Sequence, residues 1–204
     1  MKQKLIEAEI RAEVLPKEYE KIKKNIEKIG ITSSHTKRLS VMFFGEVGFK
    51  KFDIRVRITN GDCEVVVKTG SFGSHNRVEI SQNINREQFI GMVKIFAQFG
   101  FAMKIGEREV FNYSVHPDIT VSLVSAGPIM YVEIEKMSDK NKIRKDVLFL
   151  RKIAKNIKLD ILNSEEEFSE LCQRLDEKVD QSFLGTIYDY KKLLKIYECY
   201  TNIN

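Results

Sequence analysis

The 204-residue chain carries 34 Lys and Arg against 29 Asp and Glu, a formal charge of +5, with 43% hydrophobic and 31% charged residues. This is an ordinary globular composition, long enough to bury a core, and no run approaches the roughly 20 apolar residues of a membrane helix. Three cysteines (Cys63, Cys172, Cys199) and three histidines (His35, His75, His116) are scattered, which argues against a disulfide framework or a Cys-based zinc site. No glycine-rich nucleotide loop and no nucleophile elbow is present, so any chemistry falls to carboxylates, Lys, Arg and a metal.

The opening MKQKLIEAEIRAEV turns polar at once and lacks the apolar block of a signal peptide, so a cytoplasmic location is the expectation. Ile6, Ala8, Ile10, Ala12 and Val14 alternate with Glu7, Glu9, Arg11 and Glu13, which predicts a strand. Pro16 suits the first turn of a helix whose stripe is Tyr19, Ile22, Ile26 and Ile29, with its C-cap at Gly30. From Arg38 to Ile80 the pattern is strand-like. An apolar run at Val41–Phe44 is followed by the alternating Asp53–Ile58, a hairpin turn at Asn60-Gly61, the returning Cys63–Lys68 and a further alternation from Arg77.

Asn85 with Gln88 resembles a capping box, opening a helix that carries Phe89, Val93 and Phe96 and ends at Gly100. Extended segments follow near Glu107–Tyr113, Asp118–Leu123 and Ile129–Glu135. Helices are predicted at Ile143–Ile157, after Asn163-Ser-Glu-Glu-Glu, and around Thr186–Tyr200. Strands with two inserted helices, then a helical tail, indicate an antiparallel α+β architecture. The expected division is a barrel over residues 1–140 and C-terminal helices over 141–204 that pack on it.

Charge is uneven. Lys136 to Lys158 holds nine basic and two acidic residues, and Asp160 to Asp180 holds eight acidic and two basic. The expectation is two helix faces that attract one another. The basic block lacks interleaved aromatics apart from Phe149, which makes a nucleic-acid-binding stripe the weaker reading and nucleic acid the less expected partner.

The strands' polar faces carry Glu7-x-Glu9-x-Arg11, Arg55-x-Arg57, Glu64 with Lys68, Arg77-x-Glu79 and Glu133-x-Glu135. Residues two apart share a strand face at roughly 6–7 Å, so two carboxylates reach one hard cation and two arginines grip neighbouring phosphates. Any one such pair is what the solvated face of a half-buried sheet shows. Their joint occurrence suggests acidic and basic walls of a water-filled barrel interior.

In order and spacing these motifs resemble the CYTH superfamily of class IV adenylyl cyclases, thiamine triphosphatases and inorganic triphosphatases. Glu7-Ala-Glu9-Ile-Arg11 is similar to its opening E-x-E-x-K, Arg55-Val-Arg57 to its R-x-R, and Val67-Lys68 to its strand lysine. Arg77-Val-Glu79 is similar to its R-x-E, Gly100-Phe101 to a segment ending the long helix, and Arg108 to the arginine of K-x-R. Asp118 followed by Tyr131-Val-Glu133-Ile-Glu135 resembles the closing motif, so the likeness spans about residues 5 to 135. Three positions depart from it: Arg11 replaces lysine, Gly106 stands where a lysine is expected (Lys104 being the nearest), and Ser125–Pro128 replaces Leu-Gly.

The resemblance implies an eight-stranded antiparallel β-barrel, a triphosphate tunnel, with flanking helices. It implies Mg²⁺ or Mn²⁺ on Glu7, Glu9, Glu133 and Glu135, with Asp118 as a further ligand or an orienting group. Arg11, Arg55, Arg57, Lys68, Arg77 and Arg108 would bind phosphates, with Lys68 or a nearby carboxylate assisting the attacking water. The implied activity is hydrolysis of inorganic tripolyphosphate, a nucleoside triphosphate or thiamine triphosphate. The alternatives are cyclisation of ATP to cyclic AMP, and binding of a polyphosphate or nucleotide without turnover. The expected partner is a small triphosphate, with no membrane, and the chain a monomer or homodimer.

Overall fold

A computed structural model describes residues 6–69, 78–139 and 141–201. The strands are β1 (Ile6–Val14), β2 (Ile31–Val47), β3 (Lys50–Thr59), β4 (Asp62–Thr69), β5 (Val78–Ile84), β6 (Ala102–His116), β7 (Ile119–Ala126), β8 (Ile129–Ser138) and the two-residue β9 (Gln181–Ser182). The helices are α1 (Tyr19–Glu27), α2 (Phe89–Ala97), α3 (Ile143–Asn156), α4 (Glu165–Lys178) and α5 (Ile187–Thr201). The strand order is β1-β8-β7-β6-β2-β3-β4-β5, with β9 on β6. This is the expected eight-stranded antiparallel α+β architecture with its helical tail. The hydrogen-bonded path is open among the described residues, ending on β1 and β5. No described helix is long and apolar enough to cross a membrane.

Local chemistry sets several boundaries. Asn60 (φ 48°) and Gly61 (φ 92°) both adopt positive φ in the β3–β4 turn, the conformation that makes Asn-Gly a hairpin signal. The capping box is present, with the Asn85 backbone N–H donating to Gln88 Oε1 at 2.8 Å. Ser164 caps α4 by accepting from the Glu167 backbone N–H at 3.2 Å. Gly30 differs from its expected role: it does not take a positive φ, and a Cβ there would meet Val115 Cγ2 at 2.9 Å. Its smallness admits the close approach of β6.

The chain forms two compact units. Among the described residues the first comprises 6–35 and most of 109–179, the second 36–69, 78–108 and 180–201, so β2 and β6 contribute to both. In the first unit Ala8, Ile10 and Val14 of β1 join Val132 and Ile134 of β8, Val121 and Leu123 of β7, Ile22 and Ile26 of α1, and Leu150 and Ile153 of α3. In the second, Leu39, Val41 and Phe43 of β2 join Val56 and Ile58 of β3, Phe89 and Val93 of α2, and Leu193 and Tyr200 of α5. In both, alternation sends the apolar residues of each strand to the core and leaves the charged ones on the other face.

Candidate functional site

The first unit carries the carboxylates. Antiparallel pairing of β1 with β8 puts Glu9 opposite Glu135, Arg11 opposite Glu133 and Glu7 opposite Met137. Glu9 and Glu133 converge on Arg11, whose Nη2 lies 2.6 Å from the Glu9 carboxylate and whose Nε donates to Glu133 Oε1 at 2.9 Å. Phe168 of α4 lies beneath the guanidinium, 4.5 Å from ring centroid to Cζ. Burial opposes the charge on Arg11, but Glu9 and Glu133 outweigh it and hold the group above its ordinary value. Ser122 of β7 stands opposite Glu133, and Thr120 opposite Glu135.

Asp118 sits in the turn between β6 and β7, away from this cluster. It accepts from Lys136 Nζ at 2.8 Å and pairs with His116 Nδ1 at 2.6 Å. Those two partners hold its carboxyl below the usual range, Lys136 first. Lys136 reaches on to Asp146 of α3 at 3.4 Å, which places this network on the face of β8 opposite Glu133 and Glu135.

The second unit carries the cations. Arg55 Nε and Nη2 donate to the two oxygens of Asp53, at 2.9 and 2.8 Å, and Asp53 is 1% exposed. Arg57 Nε donates to Glu64 Oε1 at 2.7 Å across the β3–β4 pair, and Lys68 Nζ meets Glu79 Oε2 of β5 at 2.6 Å. Arg57 Nη2 stands 3.7 Å from the other Glu79 oxygen. Each cation is thus oriented by a carboxylate on its own or a neighbouring strand. Arg77 lies outside the described residues.

Burial works against the charged form of Glu79, but Lys68 above all, then Arg57 and Arg55, pull its pKa below the usual carboxylate range. A depressed folded pKa contributes stability that is present above the unfolded value, near 4.3, and is lost as pH falls through the folded one. The expected outcome is that the melting temperature of Glu79→Gln falls less than that of the wild type between pH 6 and pH 3.

Asp180 grips Arg108 through two hydrogen bonds, Nη1 to Oδ1 at 2.8 Å and Nη2 to Oδ2 at 3.0 Å, and Nη1 also donates to the Glu107 carbonyl at 2.9 Å. Asp180 precedes β9, whose pairing of Ser182 with Lys104 and Gln181 with Ile105 brings it beside β6. A Cβ on Gly106 would lie 2.5 Å from Asp180 Oδ1 and 3.0 Å from Arg108 Nη1. The space of the expected lysine is therefore filled by an ion pair. Gly106→Ala is expected to cost about 1–3 kcal/mol through overpacking. That cost should shrink in an Asp180→Ala background, which denaturant melts of the four-member cycle measure.

Two residues of this face carried no motif signal. Arg38 of β2 donates from Nε to Thr59 Oγ1 at 3.0 Å, opposite Arg57's strand, and lines a cleft of about 280 Å³ with Asn60, Asp62 and Glu64. Asp180 depends on a two-residue strand, too short for alternation to mark it.

Glu7, Glu9, Glu133 and Glu135 are all oxygen donors, the kind of ligand a hard divalent ion takes, and Glu9 stands opposite Glu135 across the β1–β8 pair. The carboxylates of Glu9 and Glu133 are turned onto Arg11. Among the described residues no three Asp, Glu, His or Cys side chains gather on one point.

No family model matches the chain, and no curated protein matches its sequence. Solved structures do share its fold. A candidate adenylate cyclase from Vibrio parahaemolyticus has a TM-score of 0.64 at 15% identity, covering 84% of this chain and 99% of that one. The PH1012 protein of Pyrococcus horikoshii OT3 has a TM-score of 0.62 at 19% identity, covering 79% and 93%. The PH1819 protein of the same organism has a TM-score of 0.61 at 16% identity, covering 80% and 98%. The fold is thus that of a group that includes a candidate adenylate cyclase. It is the fold that the CYTH resemblance implies.

Proposed function

We propose that this chain is a CYTH-type, metal-dependent triphosphatase acting on a small triphosphate. The observation that carries this reading is the set of cations on one face of the second unit. Arg55, Arg57, Lys68 and Arg108 are each pre-oriented by a carboxylate. Single opposite-charge pairs are ordinary on a sheet face; what favours this reading is that four cations gather on one face of the same unit, and a surface that grips a flexible polyphosphate gains from having its forks fixed in advance.

In this reading the arginines neutralise the phosphate oxygens, and hydrolysis follows by water attacking phosphorus as the anhydride P–O bond breaks. Phosphoryl transfer needs chiefly positioning and charge stabilisation, so no protein nucleophile is required. Lys68, ion-paired with Glu79, serves as a hydrogen-bond donor to phosphate or to the water. Glu7, Glu9, Glu133 and Glu135 would hold Mg²⁺ or Mn²⁺, which when bound neutralises the polyphosphate and acidifies a water. Asp118 is left to hold Lys136, the neighbour of Glu135 on β8. Arg11 then has two roles, keeping Glu9 and Glu133 in place and offering its charge to phosphate. A cytoplasmic setting fits this reading.

A second reading, cyclisation of ATP, draws support from the fold shared with the Vibrio parahaemolyticus protein. Incubation with Mg²⁺ or Mn²⁺ and tripolyphosphate, ATP or thiamine triphosphate, with products resolved chromatographically, separates the two. Released orthophosphate is the expected result. Cyclic AMP with pyrophosphate selects the cyclase, and binding without turnover selects a binding protein.

A further inference from the structure

Outside the candidate site, the outer face of α3 carries a stripe of exposed cations. The helix buries Leu150, Ile153 and Ala154 in the core of the first unit. Opposite them, Arg144, Lys145, Leu148, Lys152 and Lys155 fall within roughly 100° of arc at 3.6 residues per turn, and all five are exposed. Leu148 is 62% exposed and its neighbour Phe149 is 42% exposed.

The acidic block expected to neutralise this stripe does not do so. Arg144, Lys145, Lys152 and Lys155 have no carboxylate within 4.0 Å among the described residues, whereas Lys136, Lys142 and Arg174 are each paired with one. Asp146, the one acidic residue of α3, is turned to Ser138 at 2.6 Å and to Lys136. On α4, Glu167 bonds the Asn163 backbone N–H and Arg174 pairs with Glu13, while Glu165, Glu166 and Glu170 project from its exposed face. Like charges a helical turn apart repel one another, and no described carboxylate lies within 4.0 Å to relieve them.

We propose that the outer face of α3 binds a single-stranded nucleic acid, the cations taking successive phosphates and Leu148 with Phe149 offering an apolar platform to bases. An anionic membrane is the weaker partner. The continuous apolar face of α3 is already buried in the core, leaving only two apolar side chains where an interfacial helix immerses a whole face. The inference is independent of the triphosphatase reading, since none of its residues belongs to that site.

The test is fluorescence anisotropy of a labelled single-stranded 15-mer against the full chain, with two charge-matched variants. One carries Lys145→Glu, Lys152→Glu and Lys155→Glu; the other carries Lys21→Glu, Lys24→Glu and Lys28→Glu on and just after the exposed face of α1. Circular dichroism confirms that both fold. For four phosphate contacts, affinity is expected to fall roughly 50-fold between 50 and 200 mM salt. The α3 variant is expected to bind at least about 10-fold more weakly than wild type, and the α1 variant less than about 3-fold more weakly. Equal losses in the two variants, no salt-dependent binding of the strand, or binding to phosphatidylserine vesicles in preference to it would overturn the proposal.

Discussion

Glu133→Gln is expected to lower metal-dependent phosphate release by roughly 100-fold or more, the scale on which losing one charge-stabilising group acts, with a smaller fall in melting temperature than Glu133→Ala. Glu133 accepts from Arg11 Nε at 2.9 Å, and a glutamine carbonyl accepts the same bond. What the substitution removes is the negative charge that the proposed reading assigns to the metal, together with part of the charge that offsets the burial of Arg11. Glu133→Ala differs in an informative way. It leaves Arg11 with Glu9 as its remaining acidic partner on that side, and about 1–3 kcal/mol of stability is expected to go with the lost bond. Phosphate release and thermal denaturation, measured on both variants, separate the chemical role of the carboxylate from its structural one.

Arg57→Ala is expected to reduce kcat/KM for a triphosphate by about 100- to 1000-fold, and Arg57→Lys to recover little of it. Arg57 is fixed from below by Glu64 and flanked by Glu79 at 3.7 Å, with its side chain 13% exposed, so its fork is aimed before any ligand arrives. An ammonium has the charge but not the planar pair of donors. The Lys68–Glu79 pair remains in either variant, so the β4–β5 ladder keeps its cross-strand contact. Steady-state kinetics of the three proteins checks the expectation, with most of the loss in KM if Arg57 chiefly binds the ground state.

The charged faces were legible because alternation survives folding. Glu7, Glu9 and Arg11 stand on one side of β1 and Ala8, Ile10 and Ala12 on the other, as spacing alone predicts. Turn chemistry was equally direct at Asn60-Gly61 and at the Asn85–Gln88 box, where the backbone conformation is set by the residues themselves. The N-terminal half of β2 was not legible: Thr32, Ser33, Ser34 and His35 offer no apolar alternation, and Ser34 accepts its bond from Asn112 of the distant β6. Gly106 was read as a missing lysine. Only the pairing of β9 with β6 shows that Asp180 and Arg108 fill its space, a contact made by residues 72 apart that no local pattern carries. The charge blocks misled for a related reason. Opposite charges near in sequence do not face each other when each helix must first bury its apolar stripe.

The central claim, metal-dependent hydrolysis of a small triphosphate, is tested most directly by phosphorus NMR of tripolyphosphate incubated with the protein and Mn²⁺ removed before detection. The expected result is conversion to pyrophosphate and orthophosphate by the wild type, with Glu133→Gln and Arg57→Ala leaving the substrate largely intact. An unchanged tripolyphosphate spectrum with folded wild-type protein, accompanied by unchanged ATP and thiamine triphosphate, would contradict it, as would equal turnover by all three proteins.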